Sequence, residues 1–124
     1  MVNGLWVFLG GGIGAAARYL LSGWIHELTG STFPYGTFTE NALGCFLIGL
    51  FMTGPDEHFL VDPSLRIFLT IGVLGGFTTF STFSYETISM MRDAEYFFAS
   101  VNIASTLVAC LGATYLGALL GKVI

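Results

Sequence analysis

The sequence predicts an all-α integral membrane protein with four transmembrane helices, the third broken near its middle. Three observations predict it. The chain of 124 residues is 54% hydrophobic with a mean hydropathy of +0.78, and only 10% of it is charged, where a soluble domain carries about 25%. Its apolar residues gather into four runs separated by short polar stretches, each close to the ~20 residues that cross a bilayer. The third run is interrupted by Gly75-Gly76-Phe77-Thr78-Thr79-Phe80-Ser81-Thr82-Phe83-Ser84, where paired glycines weaken a helix and hydroxyls offer the backbone competing hydrogen bonds. One domain covers residues 1–124, with helices at about 4–25, 37–53, 64–91 and 96–121.

Composition also excludes. The net charge is −4 with no basic patch, so nucleic-acid binding is not expected. Cys45 and Cys110 sit in separate apolar runs without CxxC spacing or a nearby histidine. They read as buried small residues, not as a zinc site or a redox pair. Ala15-Ala16-Ala17 resembles a leader-peptide cleavage site, but no Lys or Arg precedes it, so the first run is expected to be a retained helix.

The first helix, 4–25, spans about 33 Å at 1.5 Å per residue. Gly10 and Gly14 form a GxxxG that lets another backbone approach closely. Arg18 lies inside this helix. It either snorkels to the interface or stands as a fixed charge that attracts or orients an anion. The loop 26–36 carries Phe33-Pro34-Tyr35, a composition suited to the membrane–water boundary.

Thr37-Phe38-Thr39-Glu40 opens the second helix with the form of a capping box, which assigns Glu40 to the helix start. Asn41 follows as the only amide in that segment. It reads either as a helix–helix hydrogen bond or as a donor aimed at a bound anion. A polar loop with Gly54-Pro55-Asp56 and Asp62-Pro63 leads to Ser64, the expected N-cap of the third helix. His26 and His58 both fall in loops and read as surface residues.

The third helix runs from Leu65 to Leu74, breaks across Gly75–Ser84 and resumes at Tyr85–Met91, with Glu86 just after the break. In lipid every backbone group needs an internal partner, so such a break is tolerated only where it is buried in protein or lines a cavity, and such breaks often hold ions. The fourth helix shows two rows at i, i+4 spacing. Asn102, Thr106, Cys110 and Thr114 form a polar track, and Ser105, Ala109, Ala113, Gly117 and Gly121 a small-residue track. The small-residue track is expected to pack. The polar track is either a solvated path or hydroxyls bonding their own helix.

Four spans put both termini on one side. Arg66 and Lys122 lie there, against Arg92 and a snorkelling Arg18 on the other. That even balance chooses no orientation, so the chain is expected to insert both ways and to pair with its own inverted copy.

Gly11-Gly12-Ile13-Gly14-Ala15 with Arg18-Tyr19, Phe33-Pro34-Tyr35-Gly36-Thr37 with Asn41, and the whole run Gly75–Ser84 resemble the CrcB/Fluc fluoride channels over nearly the full chain. The resemblance implies an antiparallel dual-topology homodimer in the plasma (inner) membrane with two pores. It implies passive fluoride efflux that lowers cytoplasmic fluoride, and a structural sodium ion (Na+) at the dimer centre. By motif position, Phe80 and Phe83 would be pore-lining rings, with Ser81 and Thr82 beside them. Asn41 would be the amide donor. Gly75 and Thr78 would offer backbone carbonyls to sodium, and Thr106, Cys110 and Thr114 would form the polar track. Glu40 departs from the motif, since a small or apolar residue is expected before the Asn.

These residue types suit fluoride. The ion is small and strongly hydrated, so amide and hydroxyl donors must replace its water. Ring edges add weakly positive C–H groups without the grip of a full charge, and conduction needs sites weak enough to leave. Taken without the motif, Phe77, Phe80 and Phe83 also read as core aromatics. A small proton-coupled exporter of toxic compounds is the competing reading. It needs an acid deep in the membrane, which Glu40 or Glu86 would have to supply. An enzyme is not expected, because Ser81 and Ser84 have no histidine within the same region to act as base.

Overall fold

The computed structural model describes residues 2–30, 33–53 and 62–123. All regular structure among them is helical: α1 (Val2–Thr29), α2 (Tyr35–Thr53), α3 (Pro63–Ile67), a π-helical segment (Phe68–Leu74), α4 (Gly75–Phe77), α5 (Phe80–Arg92) and α6 (Tyr96–Val123). The elements from α3 to α5 make one long interrupted arm. Three arms, Val2–Thr29, Pro63–Arg92 and Tyr96–Val123, are long and apolar enough to cross a membrane. The shorter α2, 19 residues or about 28 Å, carries Glu40 and Asn41 in its first half.

α1 outlasts its expected end at residue 25. It stops at Thr29 because Gly30 turns left-handed at φ 59° and sends its N–H back to the His26 carbonyl at 2.8 Å, a glycine C-cap. α2 begins two residues before the expected Thr37. The Pro34 carbonyl already accepts from Phe38 N–H at 3.1 Å, so Thr37 sits inside the first turn and cannot be the N-cap. The capping-box reading of Glu40 is therefore corrected. Glu40 is 1% exposed and turned into the protein.

The N-cap of the third arm is Asp62, not Ser64. The Asp62 carboxylate accepts from Ser64 N–H at 3.1 Å, and Pro63 takes the first helical position, where its missing N–H costs nothing. The loop 54–61, with His58 and Gly54-Pro55-Asp56, lies outside the described residues. α5 ends in a Schellman motif. Glu95 N–H bonds the Met90 carbonyl at 2.8 Å and Ala94 N–H the Met91 carbonyl at 3.1 Å, which puts Ala94 in the left-handed region at φ 60°.

Small residues set the spacing of the arms. Gly10 and Gly14 are the buried residues of α1. A Cβ on Gly10 would meet the Phe68 carbonyl at 2.6 Å, and one on Gly14 would strike that of Val73, so the GxxxG seats α1 on the π segment. On the other side, Gly49 of α2 abuts the Thr114 carbonyl, and Gly117 of α6 abuts the Phe46 carbonyl. This reciprocal glycine contact holds α2 and α6 backbone to backbone. It uses Gly117 of the small-residue track together with Thr114 of the polar track.

Candidate functional site

The interruption is narrower than the run of hydroxyls suggests. Only Thr78 (φ −93°, ψ 153°) and Thr79 (φ −153°, ψ 117°) are extended, while Gly75–Phe77 and Phe80–Arg92 are helical. Two extended residues free the last carbonyls of α4 and the first N–H groups of α5, and named side chains take them up. Thr79 N-caps α5, its hydroxyl oxygen accepting from Thr82 N–H at 3.2 Å. Arg18 donates from Nε to the Gly76 carbonyl at 3.1 Å. Its charge thus sits at the negative end of a short helix, which favours a cation, and not at a free interface. Asn41 bridges from α2, donating through Nδ2 to the Thr79 carbonyl at 3.1 Å and accepting the Thr79 N–H through Oδ1 at 2.8 Å. It pairs with residue 79 as a neighbouring strand would. Of the two readings of Asn41, the structure shows the helix–helix bond, and one Nδ2 proton remains beyond the one committed to Thr79.

Asn41, Phe80, Phe83, Thr106 and Cys110 line one cavity of about 190 Å³, joined by Cys45, Thr78, Thr79 and Leu107. The Phe80 and Phe83 rings are 5.4 Å apart, centroid to centroid, and tilted at 51°. Phe83 is buried, but Phe80 is 73% exposed, so the cavity is open along the Phe80 side of this single chain. The other expected pathway residues lie off it. Ser81 is exposed, its hydroxyl 3.2 Å from that of Thr79. Thr82 is half-buried and accepts from the Thr79 hydroxyl at 3.2 Å. Thr114 sits at the α2 contact by Gly49.

Behind the cavity runs a relay of hydroxyls and one amide. Thr106 donates to Asn102 Oδ1 at 3.4 Å, Asn102 Nδ2 to the Thr87 hydroxyl at 2.9 Å, and Thr87 to the Phe83 carbonyl at 2.8 Å. With its proton given to Asn102, the Thr106 hydroxyl offers the cavity lone pairs. Asn102 stands out in sequence only as the first member of the polar track, and Thr87 does not stand out at all. Their i+4 spacings to Thr106 and from Phe83 were the available signal.

Gly75 and Thr78, expected to offer carbonyls to a cation, line a neighbouring cavity of about 170 Å³ with Thr70 and Leu74. The N–H that would normally satisfy the Gly75 carbonyl belongs to Thr79, and Asn41 has taken it. The Gly75 oxygen is left without its helical donor, which fits an oxygen-coordinated cation such as sodium. No cluster of three or more His, Cys, Asp or Glu side chains occurs among the described residues.

The buried Glu40 and the half-buried Glu86 occupy a separate polar region. Glu40 lies near Ser22 and within electrostatic reach of Arg18 and Glu86, while Glu86 lies near Thr37. Each has one buried Oε1 with no hydrogen-bond partner. Ser22, His26, Thr37 and Glu86 line a cavity of about 200 Å³ there. Glu40 stays out of the Asn41 cavity because it points at α1, not because it caps its helix.

Fold and site define a class of protein: a multi-pass helical membrane protein whose broken helix, pinned by an amide and a guanidinium, walls a small cavity of mixed polar and aromatic character. The family model described as CrcB-like protein, Camphor Resistance (CrcB), matches residues 5–118. A relative from Geotalea daltonii named fluoride-specific ion channel FluC is 51% identical over 113 residues, 90% of this chain and 91% of that one. Relatives of the same name from Geotalea uraniireducens and Geobacter metallireducens are each 50% identical, covering 95% of both chains and 90% of both chains. The chain belongs to the CrcB family.

Proposed function

We propose that this chain is a fluoride-selective channel of the plasma membrane that lets the ion run passively down its gradient and so lowers cytoplasmic fluoride. The observation that carries the reading is the half-identity of the chain, over nine-tenths of its length, to relatives named fluoride-specific channels. The cavity bounded by Asn41, Phe80, Phe83 and Thr106 supports it with suitable chemistry. An amide N–H and two ring edges offer a dehydrated anion donors of graded weakness, and no fixed cation lines the wall to trap it. The mechanism is permeation, not enzymatic turnover.

We further infer that α2 is the fourth span and that the working unit is an antiparallel dual-topology homodimer. The exposed face of Phe80 supports a second copy closing the open side of the cavity. Gly75 and Thr78 would hold a structural sodium ion through their carbonyls, fixing the break against its symmetry mate. Liposomes loaded with fluoride and monitored with a fluoride electrode test the reading. Rapid release without chloride release and without a proton gradient is expected, and a well-folded protein that releases no fluoride refutes it.

The burial of Glu40, with an unpartnered oxygen, favours the proton-coupled exporter as the second reading. That reading requires a proton gradient to drive transport and Glu40→Gln to abolish it. The channel reading expects fluoride release from Glu40→Gln with no gradient imposed.

A further inference from the structure

Cys45 of α2 and Cys110 of α6 lie 65 residues apart in sequence, yet both are free, half-buried thiols lining the cavity of Asn41 and Phe83. Both thiols therefore face one space of about 190 Å³. The helices that carry them are held backbone to backbone at Gly49 and Gly117, so the two sulfurs are positioned by a close helix pair. The rest of the wall presents an amide, hydroxyls and apolar groups but no histidine or carboxylate. A four-coordinate metal such as zinc could not complete its ligand set there. Two thiols side by side are instead a soft donor pair, the type that selects Cu(I)-like ions over hard ones.

We propose that Cys45 and Cys110 form a two-coordinate site for a soft d10 monovalent cation, Cu(I) or Ag(I), inside this cavity. Each thiol loses its proton on coordination: one metal ion and two thiols give a bis-thiolate complex of net charge −1 and two released protons, with no electron transferred. The consequence for transport rests on the fluoride-channel reading. A fixed negative complex in a cavity of about 190 Å³ both fills the route and repels an anion entering it, so occupation closes the path.

Silver nitrate is the probe, in chloride-free buffer, with the full-length protein purified in detergent. Thiolate-to-silver ultraviolet absorbance and bound silver per chain after gel filtration are the readouts. Wild type is expected to bind one silver ion per chain. Cys45→Ala and Cys110→Ala should each bind on the order of 100-fold more weakly, because a second tethered ligand raises affinity by about 10²–10⁴-fold. Cys45→Ser and Cys110→Ser replace any alanine variant that does not elute as the wild type does. Two independent silver ions per chain, or wild-type affinity in either single variant, overturns the site. In liposomes, silver should stop fluoride release by wild type, and a soluble dithiol should restore it. Release from the single variants, at whatever rate each shows without metal, should be insensitive to silver. Full wild-type release at saturating silver overturns the placement of the thiols on the path. If metal-free wild type releases no fluoride, the channel reading fails, and the binding titration still decides the thiol site.

Discussion

Replacing Asn41 by leucine, which is close to it in size, removes both hydrogen bonds that the side chain makes to residue 79 while keeping most of the volume. In the structure the Thr79 N–H at 2.8 Å and the Thr79 carbonyl at 3.1 Å face Asn41, and both belong to a residue whose extended backbone puts it outside any helical ladder. Interhelical polar contacts in membranes are often worth only about 0.6 kcal/mol, because the partner finds another bond. Here that escape is closed. Residue 79 cannot re-pair within the protein without changing φ and ψ, and an unsatisfied backbone group costs about 1–3 kcal/mol when buried; Thr79 is half-buried beside the cavity, so the lower end of that range applies. With two such groups, Asn41→Leu is expected to lose about 2 kcal/mol, or to move the break into a different conformation. The assay is reversible unfolding in mixed micelles, followed by helical circular dichroism and run alongside fluoride release from liposomes. Asn41→Leu should unfold at clearly lower denaturant and lose its flux. A variant with wild-type stability and wild-type flux would show that Asn41 neither holds the break nor lines the route.

Three further expectations follow from particular contacts. Phe80→Ile should reduce fluoride flux at least tenfold, about 1.4 kcal/mol on the barrier, while the protein elutes in gel filtration as wild type does; unchanged flux would take Phe80 off the route. Thr87→Val removes the acceptor for Asn102 Nδ2 and should lower stability by about 0.6–1.7 kcal/mol, the range of polar contacts in membrane bundles; equal unfolding midpoints would deny the relay any energetic role. Ala94→Gly should raise stability by about 0.5–1 kcal/mol, since Ala94 holds a left-handed φ of 60° in a helix-ending motif that glycine prefers, and a lower midpoint in the same titration would contradict this.

The membrane class was legible in the sequence because hydropathy and charge are sums over many residues, and no single misplaced boundary changes them. The break was legible for a local reason: adjacent glycines followed by hydroxyls weaken a helix wherever they occur. Its extent was not. Ser81, Thr82 and Ser84 are content in a helix once Thr79 caps it, and whether that cap forms depends on Asn41 arriving from 38 residues away. Helix starts failed for a related reason. Thr37-x-x-Glu40 and Ser64 each fit a capping pattern, but Pro34 and Asp62 upstream begin the helices first, and only one residue can be the cap. Arg18 was left between snorkelling and anion attraction because its partner, the Gly76 carbonyl, exists only after α4 ends.

By itself the sequence determined a hydrophobic, helical, multi-pass chain with one flawed helix and polar residues at a few membrane-depth positions, since these follow from composition and from interactions within a turn or two. The tertiary structure decided which of those polar residues meet. It set Asn41 on Thr79, Arg18 on Gly76, Thr106 in line with Asn102 and Thr87, and Cys45 on one cavity wall with Cys110. The physical reason is distance along the chain. Contacts between helices depend on how closely Gly10, Gly14, Gly49 and Gly117 let the backbones approach and on the angle at which they do so. A GxxxG shows that helices can come close; only the folded chain shows which groups are then face to face.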